Sequence, residues 1–167
     1  LSASSGLDHR STPVFVPLEN RLFRLATFLG VVDRQLFSNG RPATAAFGDD
    51  LETEVGYLRL GDLEALLVPA EIYPELVLGR IQDPQDPGAD FPGALRERAL
   101  FTLLTSEYRL VIGLANDEIG YVIPRSEWDA KPPFAYGRRE AQYGEVNSVG
   151  PGTAARLAEA FERLLGR

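Results

Sequence analysis

Hydrophobic and polar residues alternate along this chain with two different periods, and the switches between them predict its elements. VFVPL, Val14 to Leu18, reads as a short strand. Leu18, Leu22, Leu25, Ala26 and Leu29 then recur at helical spacing and stop at Gly30, which predicts an amphipathic helix over about 19–29. Two β-type runs, Glu54–Leu60 and Leu63–Val68, flank Gly61-Asp62 as a tight hairpin requires. The second run is nearly all apolar, so it is expected at the centre of a sheet, covered on both faces. A helix follows from Tyr73 or Pro74, carrying Leu76, Val77 and Ile81, with proline tolerated in a first turn that lacks internal N–H partners. Ala94–Leu104 predicts another helix, and RLVIGLAND and IGYVIP predict two strands joined at a turn near Asn116–Glu118. The chain closes with a helix that has Pro151 near its start and Ala154, Leu157, Ala158, Phe161, Leu164 and Leu165 along one stripe.

Between these elements lie polar stretches. Residues 1–12 read as a flexible N-terminal tail, and Ser38–Asp50, rich in turn formers, as an exposed loop. Asp83–Gly93, with three prolines and two glycines, is a surface insertion or a linker. Pro124–Ser148 is a long aromatic-bearing loop of the functional or partner-facing kind. The alternation of β and α signals predicts an α/β or α+β fold, a mixed or antiparallel sheet layered with amphipathic helices. Residues 13–167 form a single α/β domain or part of a larger one.

Composition narrows the function. The chain has 167 residues, 44% of them apolar and 25% charged, as in ordinary globular domains. A net charge of -7, with basic residues dispersed among acids, argues against nucleic acid and anionic membranes as partners. No apolar run approaches the roughly 20 residues needed to cross a bilayer, so no transmembrane segment is expected. The chain begins at Leu1 without charge-then-apolar signal-peptide order and contains no methionine, which reads as a processed or excised product or an unrecorded start. It has no cysteine, which excludes disulfides and thiolate chemistry, and one histidine, His9, so it assembles neither a two-histidine metal site nor a Ser-His-Asp triad unaided.

Within those limits few residues carry chemistry. Glu71, in VPAEIYPEL at the exit of a buried strand and beside a helix start, is either a carboxylate complementing the helix dipole or a metal ligand. Tyr121, in a strand just after the LAND turn, is either core packing with a satisfied hydroxyl or a site phenol. Asn116 and Asp117 are turn formers. Asp49, Asp50, Glu52 and Glu54 read as a solvated acidic loop, without calcium-loop spacing. Gly150–Thr153 at a helix start is ordinary capping, or an anion contact through free N–H groups.

Three of these stretches, LETEVGYLRLGDLEALLVPAEIYPEL, GLANDEIGYVIP and YGEVNSVGPGTAARL, resemble in order the C-terminal half of the catalytic domain of the neutral/alkaline ceramidase family. The resemblance runs from about Val14 to the end. In that family zinc, held by two histidines, a glutamate and a tyrosine, activates water to hydrolyse the N-acyl bond of ceramide. By resemblance, the metal glutamate falls on Glu71 and the metal tyrosine, in N-D-x-x-G-Y, on Tyr121. A tyrosine near the substrate amide falls on Tyr143, here followed by an intervening glycine in Tyr143-Gly144-Glu145. Both family histidines belong to the N-terminal half, for which this chain has no counterpart. The resemblance therefore implies the C-terminal part of a zinc amidohydrolase that is inactive alone, completed by an N-terminal half supplying two imidazoles. It also implies a lipid-like N-acyl substrate and a secreted or periplasmic location. The alternative is a non-catalytic relative that binds a ligand or partner through the 124–148 loop.

Overall fold

The computed structural model describes residues 6–167. Its centre is β4 (Asp50–Leu60), whose period-two burial sends Leu51, Thr53, Val55 and Tyr57 inward. One edge of β4 pairs antiparallel with the whole of β1 (Leu7–Pro17), from Leu7 opposite Leu60 to Pro17 opposite Asp50. Its other edge pairs first with β2 (Leu36–Ser38), which turns into β3 (Arg41–Ala43), and then with β5 (Leu63–Leu67). The β4–β5 hairpin turns at Gly61-Asp62 as expected, Gly61 taking φ 58°. β5 pairs parallel with β7 (Tyr108–Ile112), completing a mixed six-stranded sheet. At mid-strand Glu64, Ala65 and Leu66 are all buried, so β5 is covered on both faces as its composition predicts.

The last helix, α4 (Thr153–Leu165), lays Ala154, Leu157, Ala160 and Phe161 on β1 and β4. With Val14, Val16, Val55, Leu66 and Val68 they form the core. Beside this sheet lies a two-stranded parallel ladder of β6 (Glu71–Ile72) and β8 (Tyr121–Val122). It is flanked by α2 (Pro74–Leu78), ended by Gly79 at φ 72°, and by α3 (Tyr143–Val146). The fold is thus a mixed α+β layer structure. No helix of the described residues is long and apolar enough to cross a membrane.

Several sequence expectations are corrected. Residues 7–12 of the expected tail are the outer half of β1, held by backbone pairing to β4 although the side chains of residues 7–11 are exposed. Residues 1–5 lie outside the described residues. The helix expected at 19–29 exists as α1 (Arg21–Phe28), capped by Asn20, but Leu22, Leu25 and Leu29 face solvent and only Thr27 is buried. Ala94–Leu104 is not a helix: residues 94–99 lack an apolar face to dock, Leu95 being fully displayed, and only Leu100–Leu103 wind into a 3₁₀ turn with Leu100 and Leu103 buried. The two strands expected on either side of the LAND turn are present, but in different sheets. β7 follows β5, whereas β8 crosses to β6, because Asn116 and Asp117 fasten the intervening turn to Glu54, Thr53 and Arg34 instead. The expected acidic loop is also partly strand, with Asp50, Glu52 and Glu54 on β4.

Candidate metal and active site

The chain leaves β5 through Val68-Pro69-Ala70 and adds two residues to a new ladder: Glu71 N–H donates to the Gly120 carbonyl at 3.1 Å, and Tyr73 N–H to that of Val122 at 3.0 Å. Gly120 is required there. It takes φ 87°, and a β-carbon on it would lie 2.0 Å from the Asn147 carbonyl oxygen. That same carbonyl accepts the Tyr121 N–H at 3.0 Å. Parallel register sets Glu71 directly opposite Tyr121. A hydrogen bond to the Glu71 carboxylate, with lesser help from partial desolvation and that carboxylate's charge, pushes the Tyr121 phenol up to about 12. Glu71 itself is exposed, so the expense of desolvating an acid at a strand exit is not incurred. It sits in the strand, two residues before the α2 N-cap, and the acid in the first turn of α2 is Glu75.

Tyr121 lies between two other tyrosines. The Tyr73 ring stands edge-on to it at 6.2 Å and 85°, and the Tyr143 ring at 5.7 Å and 80°. Tyr143 opens α3 and remains largely exposed. The glycine that follows has a steric reason: a β-carbon at Gly144 would fall 2.4 Å from the Tyr73 hydroxyl oxygen. Asn20 holds this region from the opposite side. Its Oδ1 caps α1 by accepting from Leu22 and Phe23 N–H, while its Nδ2 donates to the carbonyls of Val146 (2.9 Å) and Ser148 (2.8 Å).

Glu71, Tyr121 and Tyr143 open together onto one cleft of about 430 Å³. Leu18, Phe23 and Leu51 supply its apolar wall. Arg34 also lines it, ion-paired to Asp117, which accepts the Thr53 hydroxyl as well. Burial works against ionising Asp117, yet these donors together hold its carboxyl below the ordinary range. The structure therefore brings together the three residues singled out in sequence. Sequence reading missed Arg34, Tyr73 and Asn147, which line or brace the cleft; Tyr73 and Asn147 stand in stretches that drew attention, Arg34 does not.

The remaining candidates do not join them. The Gly150–Thr153 helix start receives the protein's own Glu19 carboxylate, which accepts Gly152 N–H at 2.9 Å. His9 projects from β1 opposite Leu58, is exposed, and does not line the cleft. Among the described residues no group of three or more His, Cys, Asp or Glu side chains is arranged to hold a metal ion. Glu71 and Tyr121 present two oxygen atoms and no nitrogen, fewer donors than the three protein ligands a catalytic zinc site commonly has.

The chain matches no family model and no curated protein. Among solved structures it is similar to neutral ceramidase from Pseudomonas aeruginosa, with 19% sequence identity and a TM-score of 0.45 over 96% of this chain and 28% of that one. It thus spans less than a third of that protein, and the likeness assigns no residue a role.

Proposed function

We propose that this chain is the C-terminal part of a zinc-dependent amidohydrolase of neutral ceramidase type. In this reading Glu71 and Tyr121 are two of the metal ligands, and two histidines from an N-terminal half complete the set. One observation carries the reading: a carboxylate and a phenol from distant parts of the chain sit side by side at the mouth of one cleft, with a third reactive side chain, Tyr143, against them. When bound, zinc would lower the pKa of water towards about 7 and polarise an amide carbonyl. The chain's own residues do the rest. Glu71 and Tyr121 would offer the ion one carboxylate and one phenol oxygen from neighbouring strands. Tyr143 offers its hydroxyl to the amide at the cleft rim, and Leu18, Phe23 and Leu51 receive an acyl chain in a cavity of the size that small ligands occupy.

The chain alone is inactive in this reading, because two oxygens without imidazole hold zinc weakly. The second reading is a non-catalytic relative that binds a ligand or partner and holds no metal at Glu71 and Tyr121. Zinc analysis of the full-length protein and its Glu71→Ala variant separates them. The hydrolase reading requires about one zinc per protein, lost in the variant; unchanged zinc content, or none in either protein, overturns it.

A further inference from the structure

α4 packs on the side of the sheet that carries Val14 and Val16 of β1 and Val55 of β4, and Leu66 of β5 joins the same core. On the other side, strand register lines up three rows of side chains across β1, β4, β5 and β7. Leu7, Leu60, Leu63 and Tyr108 form the first row. His9, Leu58, Ala65 and Leu110 form the second, and Ser11, Gly56, Leu67 and Ile112 the third. No Asp, Glu, Lys or Arg stands at any of these positions, although 25% of the chain is charged. The charges of the same strand segments, Asp8, Arg10, Arg59, Glu64 and Arg109, all point the other way. Charges toward the helix layer and apolar groups toward water are the reverse of a solvated sheet face.

Leu7 is 68% exposed, Leu60 53%, Tyr108 59%, Leu110 46% and Ile112 41%. The small residues between them, Gly56 and Ala65, are buried, Gly56 lying beneath Leu67. At about 200 Å² for a fully displayed large side chain, those five expose roughly 500 Å² of surface in one patch, at the upper end of what a monomer carries. Two such patches face to face would bury about 1,000 Å² from these side chains alone, the total that marks a specific interface. The patch also suits its own copy. Sheets stack face to face about 10 Å apart, and an uncharged face used twice brings no like charges together. A phospholipid surface is a poorer match, because the patch has no Lys or Arg to meet headgroups and the chain carries a net charge of -7. We infer that this sheet face is the interface of a two-fold symmetric dimer of the chain, the second and third rows of one copy packing on those of the other. The inference stands whether or not Glu71 and Tyr121 hold zinc.

Sedimentation equilibrium of the 167-residue chain tests it. A reversible monomer–dimer equilibrium is expected, mostly dimer at about 100 µM chain and not weakened by added salt. Leu110→Lys places a charge in the interface twice per dimer and should weaken association at least about tenfold. Tyr108→Lys, in the first row, serves the same purpose if Leu110→Lys does not fold. Leu25→Lys, on the exposed stripe of α1, should leave the equilibrium unchanged. A chain that stays monomeric overturns the inference whatever the variants do, and a monomer that pellets with phosphatidylcholine vesicles assigns the face to lipid instead. A dimer that salt dissolves, or one weakened by Leu25→Lys and not by the sheet-face variants, also overturns it.

Discussion

Adding one methyl group at Gly144 tests how tightly α3 is fitted to the tyrosine cluster. The β-carbon of Gly144→Ala would meet the Tyr73 hydroxyl oxygen at 2.4 Å, with Tyr73 Cζ at 3.3 Å and Ile123 Cδ1 at 3.2 Å. Tyr73 has little room to retreat, since its ring is set edge-on to Tyr121 and its backbone is tied to Val122 and followed by Pro74. Overpacking of this kind costs about 1–3 kcal/mol, so a loss of about 2 kcal/mol is expected. For a domain of this size that is a fall of roughly 4–8 °C in Tm. Tyr73→Phe removes the nearest atom, and the contacts left, at 3.2 and 3.3 Å, are tight rather than impossible. The double variant Tyr73→Phe/Gly144→Ala should therefore be at least about 1 kcal/mol more stable than the sum of the single changes. Urea unfolding of the four proteins measures this coupling. Strict additivity, or a Gly144→Ala protein as stable as the wild type, would refute the steric account of why glycine follows Tyr143.

Asn20→Ala removes both a helix cap and two donors to the carbonyls of Val146 and Ser148, a loss of about 2 kcal/mol. Asn20→Asp caps equally well but faces those carbonyls with a carboxylate, so chemical denaturation should find it no more stable than the alanine variant. Glu64 is buried, yet its carboxyl is held below the ordinary range: burial opposes ionisation but is outweighed by hydrogen bonds from Ser106 N–H, the Tyr57 hydroxyl and Thr105 N–H. A depressed folded-state pKa gives stability that is present above the unfolded value and lost as pH falls through the folded one. The stability gap between wild type and Glu64→Gln, about 2 kcal/mol near neutrality, should accordingly shrink as pH drops below about 4.3. A pH-independent gap contradicts this. Tyr121, isolated as the difference between wild type and Tyr121→Phe in tyrosinate absorbance after a rapid pH jump, should titrate near 12. Glu71→Gln should bring it back towards the ordinary value of about 10, and an unchanged midpoint would separate the two side chains.

Local signals made part of this fold readable. The β4–β5 hairpin was legible because Gly61-Asp62 interrupts two β-type runs, and α4 because Ala154, Leu157 and Phe161 keep helical spacing. Pairing between distant segments was not. β7 and β8 follow one another across a run of turn formers, yet their partners are β5 and β6, and nothing in a two-residue strand announces a parallel partner elsewhere. Polarity misled at residues 7–12, where backbone hydrogen bonds to β4 make a strand that hydropathy reads as a tail. The juxtaposition of Glu71 and Tyr121 was reachable from sequence only through resemblance to a known family. Arg34 and Tyr73 acquire their positions from tertiary packing, by an ion pair to Asp117 and an edge-on ring contact, and leave no local pattern.

The central claim is that Glu71 and Tyr121 form half of a zinc site whose nitrogen donors come from outside this chain. Zinc titration of the 167-residue chain by calorimetry, with and without added imidazole, tests it directly. The account predicts weak binding alone, tightening when imidazole supplies the missing donors, and no such gain in Glu71→Ala or Tyr121→Phe. Tight one-to-one zinc binding by the chain alone, or an imidazole effect that survives both substitutions, would contradict it.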